Sequence, residues 1–153
     1  MKNYIYNRFF QSQTSSYNLS ELAQCMAVFY FDMRTVHFHT LGYNFLELHE
    51  YAQELYEQAE EYYDDLVETA ISFNEYVQPM FVTPGDFTPI TDTSLLDTID
   101  TIGVMINDVR TLYDYLESIN KDIYPSFVYS KIDSMLEWLD KQNYKLTQMS
   151  KEI

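Results

Sequence analysis

The chain has 153 residues, 46% of them apolar, and nine Lys and Arg against 24 Asp and Glu leave a net charge of −15 at pH 7. These figures exclude wholesale disorder, make one domain the expectation and argue against a general binder of phosphate backbones. Three Gly and four Pro are too few for a many-turned β-sandwich or barrel, which favours long uninterrupted elements.

A lone Cys25 cannot close an intrachain disulfide. Met1-Lys2-Asn3-Tyr4 opens no apolar stretch of signal-peptide length, and no window could span a bilayer. The expectation is a soluble, acidic, cytoplasmic protein that attracts cations.

Residues 1–18 carry Lys2 and Arg8 and no acid, and read as a flexible N-terminal arm ahead of a single domain over 19–153. Asn18 with Glu21 has the form of a capping box. Leu22, Met26, Phe29, Met33, Val36 and Thr40 then recur at helical spacing, predicting a first helix to about Leu41, stopped by Gly42. Asn44 with Glu47 predicts a second capping box. The second helix follows with the stripe Phe45, Leu48, Ala52, Leu55, Ala59, Tyr62, Leu66, Ala70 and Phe73. So short a connection makes the two helices an antiparallel pair.

From Asn74 to Thr93 the pattern disappears, and Pro79, Pro84, Pro89 and Gly85 forbid a continuous helix. Ser94 with Asp97 predicts the cap of a third helix, striped by Leu96, Ile99, Ile102, Ile106, Val109, Tyr113 and Leu116. Pro125 suits the first turn of a fourth, with Val128, Ile132, Met135, Leu139 and Leu146 inward. The predicted fold is all-α, a ferritin-like four-helix bundle with one long crossover between its second and third helices.

His37, His39 and His49 are the chain's three histidines, and they cluster across the first helix–helix turn. His37 follows Met33 by four and belongs to the inward edge, whereas His39 points elsewhere. The second helix carries an edge of His49, Gln53, Glu60, Asp64 and Glu68. A solvated acidic face is the common reading of such glutamates, but this edge has a histidine at one end and two acids at the other. His49 and Glu68 lie about 28 Å apart along one helix at 1.5 Å per residue, too far to share a metal ion within one chain. If the helix packs antiparallel on its copy across a twofold axis, pairs whose numbers sum to 117 meet. His49 then faces Glu68, Gln53 faces Asp64, and the axis passes between Gln58 and Ala59, whose small side chain would permit close approach. No Glu is followed three residues later by His, which excludes the intra-bundle di-iron motif. HExxH and Cys-based zinc patterns are missing too.

These residues resemble the Dps family of mini-ferritins. His37, Gly42-Tyr43-Asn44-Phe45 and Leu48-His49-Glu50 are similar to the family's His…Gly-x-Asn-Phe…Leu-His-Glu pattern, and Asp64 and Glu68 fall where its acidic pair does. Trp138 resembles the family's late Trp-containing segment more weakly. The resemblance implies a homododecamer built from twofold dimers, with ferroxidase sites taking His37 and His49 from one subunit and Asp64 and Glu68 from its mate. Those four would bind non-haem iron, with zinc or manganese as alternative occupants, and would oxidise Fe²⁺ for storage under oxidative stress. Gln53 stands where the family usually has Asp, and Phe38 where it often has Trp. These departures motivate the alternative of a non-catalytic shell or interaction protein with a weakened or structural metal site. A lysine-poor arm on so acidic a chain predicts no tight DNA binding at about 150 mM salt.

Overall fold

The computed structural model describes residues 16–78 and 97–151. Four helices make up the described residues: α1 (Leu19–His39), α2 (Phe45–Ser72), α3 (Thr98–Glu117) and α4 (Ser126–Ser150). They form a four-helix bundle with no strand among the described residues beyond an isolated bridge between Tyr17 and Ile119. No described helix is long and apolar enough to cross a membrane.

The predicted capping box opens α1. Asn18 accepts from the Glu21 amide at 2.9 Å, and the Glu21 carboxylate accepts from the Asn18 amide at 3.3 Å. Each bond satisfies a donor that the first helical turn would otherwise leave open. All six residues of the predicted α1 stripe are buried. Leu19, Ala23, Cys25 and Val28 are buried as well, because α1 packs against both α2 and α3. Each large apolar side chain so buried contributes roughly 1.5–3 kcal/mol. The helix ends at His39, and Gly42 takes φ +98°, the left-handed region that favours glycine.

The structure differs from what the sequence predicts at four places. Tyr17, which the sequence assigns to a flexible arm, is buried and bonded through its backbone to Ser118 and Asn120, while residues 1–15 lie outside the described residues. The Asn44–Glu47 box does not form, since Asn44 adopts ψ 27° instead of an extended cap and its side chain makes no capping bond. Instead its backbone N–H donates to Thr98 Oγ1 at 3.4 Å. On α3 the inward face is turned from the predicted one: Met105, Asp108 and Leu112 are buried with Ile102, Val109 and Leu116, while Ile99 is exposed. Ile99 and Ile106 lie along a partly solvated edge of the helix. Asp97 caps this helix through the Asp100 amide at 3.0 Å, and the suggested partner Ser94 lies outside the described residues. Finally, Ala59 faces the core of its own bundle with no exposure, in register with Ala52, Leu55 and Leu66, so it does not stand at the outer surface of α2.

Side-chain and backbone bonds fix which ends are neighbours. The start of α1 meets the end of α3 through Tyr17 and Ser118, and the end of α1 meets the start of α3 through Thr40 and Thr101. The segment after α2 returns to the start of α1: Glu75 accepts from the Ser20 amide and from the Tyr124 hydroxyl, which itself accepts from the Leu19 amide. The segment 79–96, with its three prolines, lies outside the described residues. On α4 the predicted stripe is buried throughout, and Pro125 stands as the N-cap. Trp138 packs edge-on against Phe29 and Tyr62.

Candidate metal site

Two histidines meet where α1 ends and α2 begins. His37 Nδ1 lies 2.8 Å from the carbonyl oxygen of His49, and His49 Nδ1 lies 2.6 Å from the carbonyl oxygen of His37. A carbonyl oxygen only accepts, so both rings donate from Nδ1. In the neutral imidazoles this leaves Nε2 of each ring as the nitrogen with a lone pair, outside the mutual lock. The rings stack with centroids 3.7 Å apart and planes 21° from parallel. Phe45 stacks on His49 at 5.1 Å, while Phe38 and Tyr56 meet His37 edge-on at 5.1 and 5.4 Å. His37 is buried, His49 half-buried and His39 exposed, as the helical spacing predicts.

Arg34 lies one turn before Phe38 on α1. Its guanidinium lies over the rings of Tyr30, Phe38 and Tyr56, 4.9 Å from the centroid of the last, and donates to the Tyr30 hydroxyl at 3.1 Å. This cation–π arrangement braces Tyr56, which in turn braces His37.

The acids are elsewhere. Asp64 and Glu68 are exposed on the outer face of α2, about four and five turns beyond His49. Among the described residues no three His, Cys, Asp or Glu side chains gather to hold a metal ion. Within one chain the four sequence-predicted ligands therefore form two separate halves. Gln53 donates its amide to Glu57 at 2.8 Å, and Gln58 donates to Glu61 at 3.3 Å. Leu46 and Ile71, 64% and 59% exposed, share this outer face with Gln53 and Asp64, and their numbers also sum to 117.

An open groove of about 820 Å³ runs beside α2 and α4, lined in part by Tyr43, Leu46, Glu50 and Tyr144 and by none of the predicted ligands. The sequence reading missed the mutual histidine lock. Its only signal was the placement of the two histidines near the facing ends of α1 and α2, on either side of residues 40–44. Nor did it find the buried carboxyls Asp32 and Asp108. The signal there was an acid within an apolar register: Asp108 falls four residues after Val104 and four before Leu112.

No family model matches the chain, and neither the curated proteins nor the solved structures include a match.

Proposed function

We propose that the chain is a Dps-like mini-ferritin that takes Fe²⁺ as its substrate at sites shared between two subunits, oxidises it and stores the product inside a dodecameric shell. The observation that carries this reading is the histidine lock. Fixing Nδ1 as the donor on both rings leaves two Nε2 atoms, held in place by neighbouring aromatics, as the ligand half of a site. Asp64 and Glu68 supply the carboxylate half, and only another copy of α2 running antiparallel could bring the halves together. Imidazole and carboxylate suit Fe²⁺, with Zn²⁺ and Mn²⁺ as competitors.

Three further features support the reading. The start of α2 lies beside the start of α3 at Asn44 and Thr98, while the chain leaves α2 at the opposite end, beside Ser20. A connection returning along the bundle, as in ferritin-like folds, satisfies both placements. Leu46 and Ile71 would meet at each end of an antiparallel α2 pair, giving an otherwise acidic face two apolar contacts. The same pairing would oppose Glu57 and Glu60, so bound cations would offset the repulsion between like charges.

A second reading, a shell or interaction protein with a structural metal site, is favoured by Gln53. Its neutral amide replaces a charged ligand and is already engaged by Glu57.

Anaerobic Fe²⁺ titration followed by peroxide, with sedimentation, tests both. Saturable binding, an assembly about twelvefold heavier than the 18.3 kDa chain, and loss of binding in His49→Ala are expected. A monomer that binds no iron would overturn the proposal. Oxidation by Gln53→Asp alone would favour the second reading.

A further inference from the structure

The start of an α-helix has four N–H groups without a partner in its own ladder, and in α1 all four find one outside it. Asn18 donates to Glu21 and Glu21 to Asn18, as the capping box requires. The other two bonds come from far along the chain. The Leu19 N–H donates to the Tyr124 hydroxyl at 2.9 Å, and the Ser20 N–H donates to Glu75 Oε1 at 3.2 Å. Tyr124 in turn donates to Glu75 Oε2 at 2.6 Å.

Glu75 also closes α2. Asn74 adopts φ +59°, the left-handed conformation in which helices commonly end. The Asn74 N–H donates to the Ile71 carbonyl at 2.9 Å and the Glu75 N–H to the Ala70 carbonyl at 3.0 Å. These are the two bonds of a Schellman motif. The backbone of Glu75 thus completes the C-terminus of α2, while its carboxylate stands at the N-terminus of α1, where the helix dipole favours negative charge. The end of α2 has the opposite balance: Glu68 lies one turn before Ser72, and no base occupies the last turn. Acids there oppose the dipole, so the helix end depends on what holds it from outside. Phe73 adds an edge-on contact with the Tyr124 ring at 5.5 Å.

We propose that Glu75 and Tyr124 form a clasp that makes the end of α2 and the start of α1 open as one unit. Glu75 follows α2, Tyr124 precedes α4, and both are bonded to the first turn of α1. Fraying of α2 carries the Glu75 carboxylate away from Ser20 and Tyr124. Fraying of α1 removes the Ser20 donor and unseats the Tyr124 hydroxyl that hold the carboxylate. Bonds to a charged acceptor are the strong ones, coupling of this kind is reciprocal, and native proteins open locally in such units.

The test is native-state hydrogen exchange of the full chain, read by mass spectrometry, in the wild type and in Tyr124→Phe. Phenylalanine keeps a ring against Phe73 and removes only the hydroxyl, whose bonds go to Leu19 and Glu75 and not to the ladder of α2. Exchange is expected to quicken by about tenfold or more both at the start of α1 and in the last turn of α2, with the middle of α3 unchanged. Acceleration confined to α1, or none at all, would overturn the clasp. Asn74→Gly covers the case in which the first variant fails to fold. Glycine favours the left-handed conformation, so exchange is expected to slow by roughly twofold at the end of α2 and, through Glu75, at the start of α1 as well. Slowing limited to α2 would likewise overturn the proposal.

Discussion

At its beginning α2 holds His49 half-buried, stacked between Phe45 and His37 and bonded to the backbone of α1. Some four to five turns later the same helix presents Asp64 and Glu68 to solvent on its outer face. The first end is organised by its own chain: a reciprocal pair of hydrogen bonds ties two helices at a short turn, so the histidines contribute to the fold whether or not a metal arrives. At the second end Leu66 and Ala70 serve the core while the Asp64 and Glu68 carboxylates face solvent. The difference teaches that the proposed shared site would divide its duties as well, with rigidity on one side and charge on the other.

Substitutions at the two ends should therefore behave differently. The largest effect is expected from His37→Ala, which removes a buried ring and leaves the His49 carbonyl without its donor. We expect a loss of about 2–4 kcal/mol in urea unfolding, together with loss of Fe²⁺ binding. Glu68→Gln should leave the unfolding of the chain within about 0.5 kcal/mol yet weaken Fe²⁺ binding by roughly tenfold or more in calorimetric titration. If Glu68→Gln binds iron as the wild type does, the two ends do not share a site. A smaller effect is expected from Leu46→Ser. It removes one apolar contact from the outer face and should weaken self-association by about 1–2 kcal/mol in sedimentation equilibrium. Because the proposed pairing sets acids against acids, raising the salt from about 50 to 300 mM in the absence of metal should strengthen the same association modestly. Smallest of all, Lys131→Met breaks an ion pair with Asp65 whose members are 38% and 40% exposed. Solvent screening limits its worth to at most about 1 kcal/mol in thermal unfolding.

Helical periodicity made much of this molecule legible. The α1 and α4 stripes are buried residue for residue, because leucine, methionine and phenylalanine at three- and four-residue spacing have one way to leave water. Asn18 and Glu21 announced a cap that forms. Asn44 and Glu47 announced one that does not, since the turn through Gly42 points the Asn44 backbone N–H at Thr98 on another helix. On α3 the β-branched residues were misleading: Ile99 is exposed while Asp108 lies inside, because the helix rotates to bring Met105 and Leu112 against the core. In the candidate site, spacing separated His37 from His39 and put the acids beyond reach of His49. It could not show that the two histidines stack.

What the sequence determined by itself is the set of four amphipathic helices, the acidic outer face of α2 and the distance along it that parts His49 from Glu68. These follow from residue order, because helical rise and pitch convert spacing directly into length and direction. What the tertiary structure decided is which nitrogen of each histidine is engaged, which face of α3 is inside and that Asp32 and Asp108 are buried. Those facts depend on the rotation and approach of neighbouring helices, set by packing across residues far apart in the chain.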